Sequence, residues 1–153
     1  MVGAGKTTLA KQLEPRHNAI RLCPDEWIKL LIKNENDKEE LDRLREPVEQ
    51  LQWSIAQKLL HQGVNVILEN GFWSKEERMA YRELAKKIAA DVELHYLHVP
   101  KEELWRRIQK RNIDPQDHSF RVTLEELEKW IGWFSPPDAS ELTMYDDYVE
   151  HKS

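Results

Sequence analysis

The sequence predicts an α/β fold in three layers, with helices on both faces of a mostly parallel sheet. Short apolar runs alternate along the chain with helical stretches of ten or more residues. Parallel strands need crossovers of that length. A glycine turn, Gly3-Ala4-Gly5, also leads straight into a helical stretch. No internal repeat, low-complexity tract or linker interrupts the pattern, so residues 1 to 153 are expected to form a single domain. Its chemistry is expected at the carboxyl edge of the sheet.

Each element has a local reason. Lys6-Thr7-Thr8-Leu9-Ala10 opens the first helix, which Pro15 is expected to close. Ala19 to Cys23 reads as a short strand, and Pro24 with Asp25 starts a helix through Trp27, Leu30 and Leu31. Asp37 and Glu40 make an acidic N-cap pair for a long helical stretch to Gln62, bent or restarted at Pro47, with Gly63 just beyond its end. Val64 to Leu68 is the next strand, and Glu69 stands at its tip. Ser74 and Glu77 form a capping box for a helix to about Ala90, and a strand follows from Val92 to Val99. Pro100 sits at a first helical position ahead of Lys101 to Arg111. Asn112 to Val122 is polar and reads as a mobile loop. Thr123 and Glu126 cap another helix to about Phe134, which Pro136-Pro137 stop. A last short strand is expected around Leu142 to Tyr145.

Composition narrows the function. A chain of 153 residues buries about two-thirds of its unfolded surface, so it needs no disulfide or metal staple. Its net charge of -5 and pI near 5.7 give no electropositive surface for coating duplex nucleic acid. Cys23 is the only cysteine, which excludes an internal disulfide or a cysteine zinc cage and suits a reducing compartment. No apolar run approaches the roughly 20 residues of a membrane span, and residues 1 to 15 carry no apolar signal-peptide core. A cytoplasmic protein with no membrane partner is the expectation.

Gly3-Ala4-Gly5-Lys6-Thr7 matches the end of the phosphate loop G-x-x-x-x-G-K-[ST]. In such a loop the backbone N–H groups, here of Gly3, Ala4 and Gly5, turn inward around the phosphates of ATP. The helix amino terminus at Lys6, Thr7 and Thr8 adds its positive dipole end. Lys6 then reaches the β- and γ-phosphates, and the Thr7 hydroxyl binds Mg2+. The motif's first glycine would fall one position before Met1, and the strand of about 5 to 6 residues that feeds the loop is missing too. Met1 is therefore read as an internal methionine, and a sheet built from these residues alone has a gap at its centre.

With Gly3-Ala4-Gly5-Lys6-Thr7-Thr8, Cys23-Pro24-Asp25-Glu26-Trp27, Leu68-Glu69-Asn70-Gly71-Phe72-Trp73, Leu104-Trp105-Arg106-Arg107 and Arg111-Asn112, the chain resembles the small P-loop kinases often labelled AAA family ATPases. Polynucleotide kinase, chloramphenicol phosphotransferase and the zeta-toxin kinases belong to the same broad group. The resemblance runs from Gly3 to about Leu142 and implies a nucleoside-kinase-like P-loop domain with a lid at about 106–122. The chain is too short for an AAA+ module with its helical lid domain.

The resemblance assigns further roles. Asp25 follows the second strand, where such relatives place a carboxylate that orients the acceptor hydroxyl and takes its proton. An Asp between a proline and a helix is equally a good N-cap. Glu26 reads as a first-turn charge complementing the helix dipole. Glu69 stands where a strand-tip carboxylate holds Mg2+. Relatives usually carry Asp there, so the longer side chain allows a water-mediated contact, and a plain strand-end acid is the alternative. Arg107 and Arg111 lie one turn apart on the face leading into the lid, where relatives' arginines close over ATP and neutralise the transferring phosphoryl group. Exposed Arg–Glu pairs are the ordinary alternative. Arg121 is a third lid arginine, and Arg106 is expected to face solvent.

Trp53, Trp105, Trp130 and Trp133 fall at packing positions on helices, whereas Trp27 and Trp73 closely follow expected site acids and could wall an acceptor pocket. His95 and His98 lie three apart on a strand and face opposite sides, so they cannot share a metal. Cys23 reads as a buried thiol. The expected activity is transfer of the ATP γ-phosphate, with Mg2+, to a hydroxyl of a small molecule or a nucleic-acid end. The alternatives are an ATP-binding or slowly hydrolysing module that acts through a partner, and a zeta-toxin-like kinase of a sugar nucleotide. A monomer or homodimer is expected.

Overall fold

A computed structural model describes residues 1–34, 37–114 and 120–152. The described elements are α1 (Lys6–His17), β1 (Ala19–Leu22), α2 (Pro24–Leu31), α3 (Lys38–His61), β2 (Asn65–Leu68), α4 (Lys75–Lys87), β3 (Glu93–His98), α5 (Lys101–Ile113), α6 (Leu124–Trp133), α7 (Ala139–Leu142) and β4 (Asp147–Lys152). The fold is α/β, and both strand pairs are parallel: β1 with β2, and β3 with β4. Among the described residues these are two separate two-stranded sheets, where one interrupted sheet was expected. The chain groups into two compact units, Thr7–Asn70 and Met1–Lys6 with Gly71–Ser153.

In the unit Thr7–Asn70, β1 and β2 run in register from Ala19 opposite Asn65 to Leu22 opposite Leu68. The Glu69 N–H donates to the Leu22 carbonyl at 2.9 Å, which carries the ladder to the strand tips. Helix α3 packs on α2 and β2 through the buried face of Val48, Gln52 and Ala56. Pro15 lies inside α1 and does not close it. The helix bond that Pro15 cannot make is the one to the carbonyl of Lys11, an exposed residue. Pro47 likewise lies inside α3, which runs unbroken for 24 residues from its Asp37 cap.

In the other unit, Ala4, Leu104, Ile108, Val122 and Leu127 form a core, with Leu97, Val99, Trp105 and Trp130 packed against it. The Ser74 hydroxyl caps α4 as expected, but the Glu77 carboxylate takes the Trp73 N–H at 2.8 Å and does not close a reciprocal box. The full capping box forms at Thr123 and Glu126. The strand expected around Leu142 to Tyr145 is wrong: Asp138 caps the short helix α7 there. The last strand is instead Asp147–Lys152, paired with β3. Its mixed charged and aromatic residues lack the apolar alternation that announces a strand.

Glu141 of α7 is fully buried, and its carboxylate accepts two hydrogen bonds from the Arg78 guanidinium of α4, at 2.6 and 2.8 Å. Arg78 also donates to the carbonyls of Phe72 and Ser135 at 3.1 and 2.8 Å. One buried cation thus ties the loop after Glu69 to the turn after α6. Trp105 and Trp130 are packing residues as expected, whereas Trp133 is 60% exposed beneath the Lys129 ammonium. His95 and His98 face opposite sides of their strand, His95 pairing with His151 and His98 with Glu150.

Candidate active site

The glycines of the phosphate loop are used for their backbone freedom. Gly3 and Gly5 adopt φ of +76° and +95°, the left-handed region that disfavours side chains. A Cβ on Gly3 would also sit 3.1 Å from Ile108 and 3.2 Å from the Leu104 carbonyl. The loop therefore lies tight against α5. Ala4 is buried between the two glycines. The Lys6 ammonium donates to the Met1 carbonyl at 3.0 Å, folding its charge back over the loop.

Helix α1 starts at Lys6 and differs from α2 to α6 in one respect. Its first turn carries no acid, while each of the others has two. Orphan N–H groups and the dipole at such an end favour an anion, and this end supplies none of its own. Thr8 lies exposed on the same turn.

In the unit Thr7–Asn70, the Thr7 hydroxyl donates to Glu69 Oε1. The Glu69 side chain is only 5% exposed, and its Oε2 accepts from Arg21 at 2.7 Å. A hydroxyl beside a carboxylate oxygen is a hard-oxygen pair suited to Mg2+, which takes one or two protein ligands and completes its shell with phosphates and water. Among the described residues no group of three or more His, Cys, Asp and Glu side chains could hold a metal by itself. The donor set therefore fits a cation that arrives with a nucleotide.

Asp25 is the second residue of α2, whose N-cap is Cys23. The capping alternative is thereby removed. Its carboxylate accepts from the Arg45 guanidinium of α3 at 3.1 Å and stays 55% exposed. Glu26 is more than a first-turn charge, for both its oxygens accept from Arg21, at 2.7 and 2.8 Å. Burial alone would lower the Arg21 pKa, but the hydrogen bonds to Glu26 and Glu69 outweigh it and raise it, so Arg21 stays charged. Burial pushes the Cys23 thiol up to about 11, aided by the nearby carboxylates of Glu69, Asp25 and Glu26 and opposed by a backbone hydrogen bond from Glu26. The thiol is buried, as the sequence implied.

The two arginines expected at a lid have different partners. Arg107 donates to Glu103 at 2.6 Å and to the Ala4 carbonyl of the phosphate loop at 3.5 Å. Arg111 donates to the Phe120 carbonyl at 3.1 Å. Arg106 is 68% exposed, and together with Arg107 it holds the Glu103 carboxyl down to about 2. Arg121 is exposed. The Asn112 amide binds the Val122 backbone twice, donating to its carbonyl at 2.7 Å and accepting from its N–H at 3.2 Å. The expected loop lies partly outside the described residues, at 115–119. Sequence reasoning missed Arg21, Arg45 and Arg78, and quoted Asn112 in a motif without giving it a role. Only Arg21 gave a signal, as a lone charge in the apolar run Ala19 to Leu22.

Comparison with known families and structures bears on this geometry. The family model described as an AAA domain matches residues 1–137. The chain belongs to that family. That family is P-loop kinase-like. A crystal structure described as "a putative kinase from Chloroflexus aurantiacus J-10-fl" superposes with a TM-score of 0.78 at 18% identity, over 97% of this chain and 82% of that one. At that identity the likeness shows a shared fold. No curated protein matches the sequence. Kinase-like P-loop chemistry is thus supported at the level of the family. Among the described residues no helix is long and apolar enough to cross a membrane.

Proposed function

We propose that the chain is an ATP- and Mg2+-dependent phosphotransferase whose acceptor is a hydroxyl of a small molecule or a nucleic-acid end. One observation carries the reading: the Thr7 hydroxyl behind the phosphate loop meets the strand-tip carboxylate of Glu69, 62 residues away. A glycine turn with a chance lysine would not bring those two oxygens together.

The roles follow from the side chains. The N–H groups of Gly3 to Thr8 and the acid-free start of α1 bind the β- and γ-phosphates, and the Lys6 ammonium leaves the Met1 carbonyl for phosphate oxygens. Thr7 and Glu69 hold Mg2+, which withdraws charge from the phosphates when bound with ATP. Asp25, oriented by Arg45, accepts the acceptor's hydroxyl proton as the new O–P bond forms and the bond to the bridging oxygen of ADP breaks. Arg107 supplies positive charge to the transferring group from beside Ala4, with Arg111 as the second lid arginine.

The test is γ-labelled ATP and Mg2+ with a mixed panel of nucleosides, sugars, aminoglycosides, chloramphenicol and DNA 5′-ends. Label should pass to at least one acceptor class, and Lys6→Ala should abolish that transfer and weaken ATP binding. Release of label as inorganic phosphate alone across the whole panel, or full transfer by Lys6→Ala, overturns the reading.

A further inference from the structure

We propose that Arg21 is a positioning residue for the metal. It fixes Glu69 as a ligand that presents one oxygen, Oε1, beside Thr7, and so sets how much Mg2+ the protein needs to bind nucleotide tightly. The inference rests on the proposed phosphotransferase reading and assigns a role to an arginine that neither the motif nor the family resemblance singled out.

The geometry is specific. Glu69 divides its two oxygens, Oε1 taking the Thr7 hydroxyl and Oε2 the Arg21 guanidinium at 2.7 Å. With Oε2 turned to Arg21, Oε1 is the oxygen presented on the Thr7 side, where the cation would be shared. Arg21 is itself held by two further acids, Glu26 and Glu14. Its terminal nitrogen donates to both oxygens of Glu26 on α2, its Nε lies 3.6 Å from Glu14 of α1, and its own backbone N–H donates to Glu14 at 3.2 Å. The Arg21 side chain is only 9% exposed, so the guanidinium cannot swing into solvent without emptying a buried position.

This arrangement answers the extra methylene of glutamate. At a strand tip a glutamate has one more torsion to freeze than an aspartate, and a free carboxylate would sample orientations that miss the Thr7 hydroxyl. A guanidinium clamped between Glu26 and Glu14 removes that freedom, because its planar fork binds carboxylates in a fixed direction. Three carboxylates around one guanidinium leave the group net negative, so holding Glu69 in this way does not turn the site against a divalent cation. Partners that orient a metal ligand are commonly worth about 10- to 100-fold in metal affinity.

The experiment reads metal demand in place of turnover. For the whole chain, the rise in melting temperature caused by a fixed concentration of ADP is followed as Mg2+ is added, and the half-saturating Mg2+ concentration is recorded. Arg21→Met should raise that concentration about 10- to 100-fold while ADP binding in EDTA stays unchanged. Arg21→Lys keeps the charge but loses the fork, and should fall between the two. Thr7→Ala is the positive control. A lower melting temperature in Arg21→Met with an unshifted half-saturation would make Arg21 merely structural and overturn the inference. So would a lowered Mg2+ requirement, which would make the guanidinium a competitor of the metal. If Arg21→Met does not fold, Arg21→Gln and Arg21→Lys decide between the same outcomes. A wild-type protein whose ADP response ignores Mg2+ fails the phosphotransferase reading first, whereas a normal wild-type response with unshifted variants fails only the role of Arg21.

Discussion

Replacing Asp25 with asparagine separates chemistry from stability. The N-cap of α2 is Cys23 and Pro24 occupies the first turn, so Asp25 makes no capping bond that the change could break. Among the described residues its partner is Arg45 at 3.1 Å, in a pair whose side chains are 55% and 40% exposed. Exposed pairs of this kind are worth about 0 to 1 kcal/mol, so the melting temperature should fall by no more than about 2 to 4 °C. ATP affinity should stay within a few fold. Phosphoryl transfer should drop by about 10²- to 10⁴-fold, the usual worth of a positioned general base, which is about 2.7 to 5.4 kcal/mol of barrier. Background hydrolysis should fall less, because Glu69 and the metal can position a water. The assay is kcat for the true acceptor, with nucleotide titration and thermal melting on the same preparation. Unimpaired kcat in a folded, ATP-binding Asp25→Asn protein would refute the argument and move the base to Glu69.

Three further expectations concern what holds the site together. Glu141→Leu leaves the Arg78 guanidinium buried without its carboxylate and should cost about 3 to 5 kcal/mol in urea unfolding. Adding Arg78→Met should recover much of that, less the bonds to Phe72 and Ser135; a single variant within about 1 kcal/mol of wild type would show that the pair does not hold the loop. Gln52 is 1% exposed, and neither polar atom of its amide has a hydrogen-bond partner among the described residues, so Gln52→Met should be neutral or about 1 kcal/mol more stable; a loss of more than about 1 kcal/mol, measured in the same way, would reveal a missing partner. The buried Cys23 thiol, pushed up to about 11, keeps its proton in the folded chain after the unfolded chain has lost it near pH 9. Its contribution to stability is therefore complete below that pH and declines as pH rises toward 11. Melting of wild type should fall more steeply from pH 8 to 10 than melting of Cys23→Ala, and parallel curves would mean that the thiol is accessible.

Much of this protein is written in local spacing. Asp37 with Glu40, Ser74 with Glu77 and Thr123 with Glu126 are cap pairs three residues apart, and all three mark real helix starts. The run Gly3 to Thr7 specifies a phosphate loop within a single turn of chain, because its glycines, lysine and hydroxyl act as immediate neighbours. Residues that close a turn or share a helix face lie within four positions of one another, so the sequence alone displays them. Tertiary structure alone decided the rest. Thr7 meets Glu69 across 62 residues, Arg21 reaches Glu69 across 48, and Arg78 reaches Glu141 across 63. It also overrode local signals, carrying helices through Pro15 and Pro47 and pairing the unpatterned strand Asp147–Lys152 with β3. For the long-range contacts and the last strand, a buried charge or an unpaired backbone edge must find its partner wherever the chain returns. No spacing rule records that return, because it is fixed by how the helices pack.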